Sequence, residues 1–257
     1  MALQYHTKLN TGDVAPYVLL PGDPKRVQVV ASYWDEAHQV ADNREHVTYT
    51  GTYKGMPISC TSTGMGCPST AIAMEELART GARTFLRIGT CGTFQDFIKN
   101  GDIIVFDSAC RYDGTTDLYA PPESPAAAHY QVINACVAAM EELQYPYHVG
   151  TTRTADTFFA GHPRPGSSFN DYWHSSWEHF FEDLKRIGVV LKRALYFITC
   201  SGHMMYKTKI EEDYITRNLL AVKEKLPAEA GGMTYRQLSL FDDVRFAARQ
   251  QGISQLG

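Results

Sequence analysis

The stretch Thr84–Thr93, Thr-Phe-Leu-Arg-Ile-Gly-Thr-Cys-Gly-Thr, decides the fold of this chain. It begins as a short apolar run rich in strand-forming residues and ends in a turn that carries Gly89 and Gly92. This pattern is typical of a buried parallel strand whose carboxyl end opens into a glycine turn. The side chain of Arg87 and the backbone N–H groups of the turn would meet there, and both suit an anion. Many α/β strands end in this way, so the anion site needs support from the rest of the chain.

The composition is that of one globular α/β domain. The 257 residues carry a formal net charge of −4, with 44% hydrophobic and 20% charged residues, which is ordinary for a chain that buries a sizeable core. The acidic balance argues against a nucleic-acid partner bound through bulk basicity, so local arginines would meet an anionic substrate. Six scattered cysteines show neither a C-x-x-C pair nor zinc spacing, which predicts reduced thiols. We see neither a membrane span nor a secretion signal, and we expect a soluble cytoplasmic protein without a membrane partner.

Strand and helix signals alternate along the chain. A first strand, 17–20, stops at Pro21-Gly22, and Asp23 and Pro24 follow as helix N-cap and first helical residue. The alternation predicts an α/β fold, a single domain over 1–257 with a central mixed, largely parallel twisted sheet flanked by helices. The pattern further indicates strands at 44–53, 57–63, 102–106 and 147–154, and helices at 68–80, 126–143, 168–186, 207–226 and 234–250.

Two further places offer binding groups. The Gly22 amide and the Arg26 side chain, one helical turn later, would converge on one spot, although a plain strand–turn–helix joint with a surface arginine has the same pattern. After the strand 147–154, one loop carries Phe158, His162 and Arg164. An aromatic ring with planar donors suits a flat heterocycle. The alternative is a surface loop whose phenylalanine plugs the core.

Several short motifs, spread over roughly residues 5–190, occur in the order and with nearly the spacing of one known protein family. Together they resemble the nucleoside phosphorylase-I family and, within it, the uridine phosphorylases. The matching segments are Pro21–Pro24 with Arg26, Arg44-Glu45, Thr63–Gly66 with Pro68-Ser69, Met74–Leu77, Arg87–Gly92, Gly101–Ile103, Tyr119–Pro121 and Asp156–Phe158.

The resemblance implies an enzyme, a pentosyltransferase that converts uridine and phosphate reversibly into uracil and ribose 1-phosphate. Phosphate would be a co-substrate, and no cofactor is implied. A purine nucleoside phosphorylase stays open as an alternative, because the Gly-Thr-Cys-Gly turn suits either enzyme. A non-catalytic nucleoside- or phosphate-binding homologue also stays open. A nucleosidase that uses water has no need of three arginines and is disfavoured.

The resemblance assigns a phosphate pocket to Gly22, Arg26, Arg87 and Thr90. Arg44 matches a further phosphate contact, which in that family comes from the neighbouring subunit of a dimer. Arginines and a glycine-turn amide would hold the anionic nucleophile beneath the anomeric carbon. The implied assembly is a homodimer or a trimer of dimers with shared active sites.

The resemblance also assigns the nucleoside side of the site. His6 matches the histidine that reaches across the dimer interface to the sugar 5′-hydroxyl, and His162 stands where the family has glutamine. Arg164 would stabilise the negative charge of the departing base, so Arg87 and Arg164 are the predicted catalytic residues. Glu45 and Ser69 match residues that hold a potassium ion at the dimer interface in some relatives. The full predicted nucleoside set is His6, Thr90, Cys91, Gly92, Phe158, His162 and Arg164.

The resemblance covers 1–190, and 191–257 diverges from it. Where the family has a Glu-Met-Glu segment that grips the ribose hydroxyls, this chain reads Leu191-Lys192-Arg193, and no acidic residue lies between Asp183 and Glu211. A divergent tail, a reading-frame change and a chimeric gene all stay open, and the abruptness of the change favours the last two. Charged hydrogen bonds contribute roughly 1.5–3 kcal/mol each, so we expect phosphate binding to survive better than catalysis.

Overall fold

The computed structural model describes residues 3–93, 95–157, 179–190, 229–230 and 233–234. Within them, strands and helices alternate along most of the chain, which confirms the predicted α/β class. A short 3-10 turn at Thr116–Leu118 lies between two strands. The elements are β1 Tyr17–Leu20, α1 Pro24–Ala31, β2 Glu36–Asn43, β3 His46–Tyr53, β4 Met56–Thr61, α2 Cys67–Thr80, β5 Thr84–Arg87, β6 Ile103–Tyr112, β7 Ala126–Ala127, α3 Tyr130–Glu142, β8 Tyr147–Ala155, α4 Phe180–Arg186, β9 Glu229–Ala230 and β10 Met233–Thr234.

The larger sheet has five strands in the order β2-β3-β4-β1-β5. The strand β1 lies parallel to both β4 and β5, whereas β2, β3 and β4 form an antiparallel meander. A second sheet, in the order β7-β6-β8, pairs β6 with β8 in parallel and with β7 antiparallel. The sheets are therefore mixed, as predicted, and the parallel strands β4, β1 and β5 end at one common edge.

The central strand β1 is buried on both faces because successive side chains point to opposite sides of a sheet. Leu19 packs with residues of α1 and α3, including Val27 and Met140. Val18 and Leu20 pack on the other face with residues of α2 and the N-terminal segment, including Leu77. Helices thus cover both faces of the parallel strands, which leaves the strand ends as the accessible edge.

Most predicted elements are confirmed, and three differ. The strand β2 was missed because Glu36–Asn43 is a polar, largely exposed edge strand without an apolar alternation. The predicted helix 126–143 begins only at Tyr130, since Ala126–Ala127 pairs with β6 as a strand. Thr234, the predicted start of a helix, lies in a short strand paired with Glu229.

The remaining predictions fall wholly or partly beyond what the structure describes. Of the predicted helix 168–186, the structure describes 179–186, and most of this part forms α4. The predicted helix 207–226, and the predicted helix 234–250 apart from Thr234, lie outside the described residues. In the described ranges, five cysteines are free thiols. The longest of the described helices has 14 residues, and none of them has the length and apolarity to cross a membrane.

Candidate active site

The ends of three parallel strands define the candidate site. Leu20 and Arg87 lie opposite each other at the ends of β1 and β5. The loop after β4 joins the same edge, because the Thr63 N–H donates to the Pro21 carbonyl at 2.9 Å. The Ile88 N–H donates to the Leu20 carbonyl at 3.2 Å, which continues the pairing into the loop after β5. Three loops therefore converge at one edge of the sheet.

Arg87 is the buried cation of this edge, with only 7% of its surface exposed. Its Nη1 donates to the Leu20 carbonyl at 2.9 Å and also to the hydroxyl of Thr63. The guanidinium thus crosses β1 and reaches the loop after β4, and both partners are fully enclosed by the fold. Because a guanidinium keeps its charge at all physiological pH values, this arrangement fixes a positive charge in place.

Gly22 and Arg26 lie at the same edge, where β1 turns into α1. Gly22 is buried and Arg26 is half-buried. Asp23 caps the helix, since its Oδ1 accepts from the Lys25 N–H at 3.0 Å. The N-terminus of α1 therefore carries the helix dipole toward the strand ends, where it favours an anion.

Thr90 supplies the clearest local sign of a ligand. The residue is 5% exposed, and its hydroxyl has no hydrogen-bond partner among the described residues. Leaving a buried hydroxyl unsatisfied costs about 1–3 kcal/mol, so the position suits a residue that binds a substrate. Cys91 and Gly92 follow in the same loop, and burial raises the pKa of the Cys91 thiol to about 12. The thiol is therefore protonated and unreactive.

Arg44 lies apart from the buried cation, at the tip of the β2–β3 hairpin. Its backbone is left-handed, with φ at 57°, and its side chain is exposed. Two serine hydroxyls form hydrogen bonds with the residues next to Arg44. We call this pair, Ser62 and Ser69, the serine latch. The Ser62 Oγ donates to the Glu45 carbonyl at 2.6 Å and accepts from the Val47 N–H at 2.8 Å. The chain thus presents Arg44 outward from a fixed turn.

Glu45 and Ser69, the predicted potassium ligands, are in direct contact. The Ser69 Oγ lies 2.8 Å from Glu45 Oε1 and 2.6 Å from the Thr63 carbonyl. A backbone hydrogen bond lowers the pKa of Glu45, and the Ser69 bond adds to this effect against the cost of burial. The structure therefore gathers several oxygens at the latch, while their binding of potassium stays a prediction.

His6 is held by Glu76, an acidic residue that was not among the predicted site residues. Its backbone N–H and its Nδ1 contact the Glu76 carboxylate at 3.1 and 2.7 Å. The N–H and hydroxyl of Thr7 donate to the same carboxylate at 2.7 and 2.8 Å. Burial opposes the charge of Glu76, but these hydrogen bonds outweigh it and lower its pKa to about 2. Asn43 adds a hydrogen bond from Nδ2 to the His6 carbonyl at 2.6 Å.

Two residues in contact with predicted site residues, Thr63 and Glu76, were not predicted as part of the site. Glu76 lies on the apolar face of α2 between Ala73 and Leu77. A carboxylate at such a position is a signal that sequence reasoning can use, because burying it needs partners. Thr63 lay in a matching segment, but its contact with Arg87 depends on the sheet order and could not be predicted.

A thiol and two carboxylates meet beside the N-terminus of α2. Ligand atoms of Cys67, Asp113 and Asp156 lie within 4.8 Å of one another. Asp113 accepts from the N–H and hydroxyl of Thr116, and Asp156 accepts from the Gly114 N–H at 2.9 Å. These hydrogen bonds give both carboxylates a role in holding the turn after β6.

Three residues predicted to contact the base, Phe158, His162 and Arg164, lie outside the described residues. The structure brings four of the predicted phosphate residues to one edge, Gly22, Arg26, Arg87 and Thr90, whereas Arg44 and His6 lie on other segments.

The chain matches the family model of the phosphorylase superfamily over residues 16–189, more than half of its length. It belongs to this superfamily. The matched range ends next to the point at which the sequence departs from the family, near residue 191. The resemblance to nucleoside phosphorylases of the uridine phosphorylase type is confirmed by the relatives.

Curated relatives include uridine phosphorylase of Thermococcus kodakarensis, 49% identical over 187 residues that cover 73% of this chain and 67% of that protein. Uridine phosphorylase of Treponema pallidum is 43% identical over 159 residues, 62% of each chain. Guanosine phosphorylase of Halorubrum lacusprofundi is 41% identical over 159 residues, which are 62% of this chain and 66% of that protein. The chain thus spans about two thirds of the length of these relatives.

Proposed function

We propose that this chain is a uridine phosphorylase, which cleaves uridine with phosphate to uracil and ribose 1-phosphate and catalyses the reverse reaction. The observation that carries the proposal is the buried guanidinium of Arg87, held by Leu20 and Thr63 at the strand edge that Gly22 shares. The similarity to uridine phosphorylases supports the choice of substrate.

The phosphate side would act by placing and holding the nucleophile. Arg87 is fixed before any substrate arrives, so little reorganisation is needed when the anion binds. The N-terminus of α1 with Arg26, and the unpaired hydroxyl of Thr90, would add donors around the same oxygens. The bound phosphate would attack the anomeric carbon while its charge stabilises the oxocarbenium-like sugar.

The base side of the reaction would rest on Phe158, His162 and Arg164. Phe158 would stack near the sugar and base, and Arg164 would stabilise the departing uracil as it gains negative charge. Cys91 and Gly92 continue from Thr90 in the same loop, which places them between the phosphate and the base in this proposal.

The working unit in this proposal is a homodimer, alone or as part of a trimer of dimers. The exposure of Arg44 at a fixed hairpin tip supports the exchange of this arginine with a second copy. An exposed arginine carries no desolvation cost in the monomer, and in this proposal it binds phosphate in the site of the second copy.

A potassium ion at the dimer interface would fit the oxygens at the serine latch. The carboxylate of Glu45, the hydroxyl of Ser69 and the Thr63 carbonyl lie together, and hard oxygen ligands suit such a cation. The ion would stabilise the hairpin tip without taking part in the reaction.

The divergent segment 191–257 limits the proposed activity. This chain lacks the Glu-Met-Glu segment that would bind the ribose hydroxyls, so phosphate binding should be retained more readily than uridine turnover. Isothermal titration of the full chain with phosphate alone, and then with uridine, tests this order. Tight uridine binding would contradict it.

Uracil release from uridine, measured with and without phosphate, tests the proposed function. Phosphate-dependent release is the expected result. Release without phosphate would identify a nucleosidase, and no release at saturating phosphate would identify a non-catalytic binding homologue.

A guanosine-type phosphorylase is the second candidate, because one relative at 41% identity is a guanosine phosphorylase. The described residues lie on the phosphate side, which both reactions share. Release of guanine from guanosine, compared with release of uracil from uridine at equal concentration, separates the two functions.

A further inference from the structure

The Glu76 carboxylate is surrounded by donors from one short segment. His6 and Thr7 contribute two backbone N–H groups, one hydroxyl and one imidazole nitrogen, at distances between 2.7 and 3.2 Å. The carboxylate is almost fully buried, with 8% of the side chain exposed, whereas a third of the His6 ring is accessible. The buried Glu76 carboxylate thus holds the His6 ring in place, and part of the ring faces solvent.

This geometry determines which nitrogen of His6 carries the hydrogen. The donors around Glu76 keep it ionised at physiological pH, and an ionised carboxylate only accepts hydrogen bonds. The Nδ1 atom, 2.7 Å from Oε1, must therefore be the protonated nitrogen. In the neutral ring, Nε2 is then an acceptor, and it has no hydrogen-bond partner among the described residues.

We propose that Glu76 is a positioning residue, which fixes the Nδ1–H tautomer of His6 and so makes Nε2 the acceptor for a nucleoside 5′-hydroxyl. The inference rests on the proposed function for the identity of the hydroxyl, and on the contacts of Glu76 for the tautomer. It makes the pair a determinant of specificity, selecting nucleosides that carry a free 5′-hydroxyl over 5′-deoxynucleosides.

The contacts of Glu76 with Thr7 and with His6 can be separated. The Thr7 hydroxyl, on a fully buried residue, holds the segment against α2 without touching the imidazole. The His6 Nδ1 contact is the one that sets the ring. Thr7→Val therefore reports on anchoring alone, whereas Glu76→Gln alters both, because an amide offers an N–H group where the site needs only acceptors.

The experiment compares kcat/KM for uridine and for 5′-deoxyuridine in the full chain. Glu76→Gln should reduce the preference for uridine about 10-fold, the loss expected for one oriented hydrogen bond. His6→Ala should reduce it equally, and adding Glu76→Gln to His6→Ala should change the preference no further. Glu75→Gln, a neighbouring exposed acid paired with Arg79, is the matched control and should keep the preference.

Thr7→Val should lower kcat/KM equally for uridine and 5′-deoxyuridine. If Glu76→Gln does the same, the role of Glu76 is purely structural and the proposal is overturned. The ¹⁵N shifts of the His6 ring give a measurement that needs no activity. An Nδ1–H signature in the unaltered protein that is lost in Glu76→Gln supports the proposal, and an Nε2–H signature overturns it. Absence of uracil release would refute the proposed function, and the ring shifts would still decide the tautomer.

Discussion

Arg87 and Arg44 are two arginines assigned to one phosphate, and the chain supports them in opposite ways. Arg87 ends a buried strand and donates to two groups inside the fold, the Leu20 carbonyl and the Thr63 hydroxyl. Arg44 stands exposed on a hairpin tip, where hydrogen bonds hold the backbone and leave the side chain outside. The contrast separates a cation that is preorganised within the chain from one that is only presented by it.

Substitutions at the two arginines should therefore have different effects. A change at Arg87 acts on a buried network and should affect binding and folding together. A change at Arg44 acts on an exposed side chain and should affect function without affecting the free energy of unfolding. The predictions below test this division in order of decreasing effect.

Arg87→Lys should give the largest loss. Lysine keeps the charge but lacks the planar guanidinium, in which Nη1 alone donates to both Leu20 and Thr63. The kcat/KM for phosphate should therefore fall at least 100-fold, about 3 kcal/mol. Steady-state kinetics measure the fall. Arg83→Lys, an exposed arginine just before the same strand, is the control and should match the unaltered protein. An Arg87→Lys enzyme within a few-fold of normal would remove Arg87 from the site.

Arg44→Ala should lower activity roughly 30-fold, a smaller loss because exposed charges are screened, and should leave the thermal midpoint unchanged. Co-expression of the Arg44→Ala and Arg87→Lys chains should restore activity at about a quarter of all sites. Random pairing makes about half of the dimers mixed, and in each mixed dimer one of the two sites has Arg87 from one copy and Arg44 from the other. No recovery in the mixed protein would argue that Arg44 does not serve a second copy.

Thr63→Val should weaken phosphate binding about 10-fold, because the Arg87 guanidinium loses the Thr63 hydroxyl as an internal acceptor while the volume is kept. The KM for phosphate is the measurement. Thr61→Val provides the matched control, since Thr61 is equally buried and its hydroxyl bonds that of Thr48 at 3.0 Å across the strands. It should cost stability but leave the KM unchanged, and equal shifts in both variants would contradict the role of Thr63.

Ser69→Ala should have the smallest effect, about 3-fold in the KM for phosphate and about 1 kcal/mol in the free energy of unfolding. The reason is that it removes the links from Ser69 to Glu45 and Thr63 but leaves Ser62 in place. Denaturant titration and kinetics, each with potassium or with sodium, check this. A cation preference that survives unchanged in Ser69→Ala would count against potassium at the latch.

The local structure around the predicted phosphate residues could be predicted from the sequence. Pro21–Pro24 marks a strand end and a helix start through residues with strong local preferences, and the structure agrees. The strand ending at Arg87 was predicted for the same reason. Glu36–Asn43 was missed because an exposed edge strand needs no apolar pattern, and the false start of α3 at Ala126 arose from an apolar run that pairs as a strand.

The connections within the site depend on which strands are neighbours. Contact between Arg87 and Thr63 requires β1 to lie between β4 and β5, and no local pattern specifies that order. The grip of Glu76 on His6 joins residues 70 positions apart, so composition and periodicity gave only the anomaly of an acid on an apolar helix face. The predicted roles of single residues came from the resemblance to the family, because the spacing of residues alone does not indicate them.

The left-handed backbone of Arg44 has one more consequence. Residues other than glycine pay about 1 kcal/mol or more for this conformation, and φ at Arg44 is 57°. Glycine would adopt the turn without that cost, yet it would remove the guanidinium. If Arg44 binds phosphate as proposed, stability and activity favour different amino acids at the hairpin tip. Sequence optimisation guided by stability alone would then remove a residue that the enzyme needs.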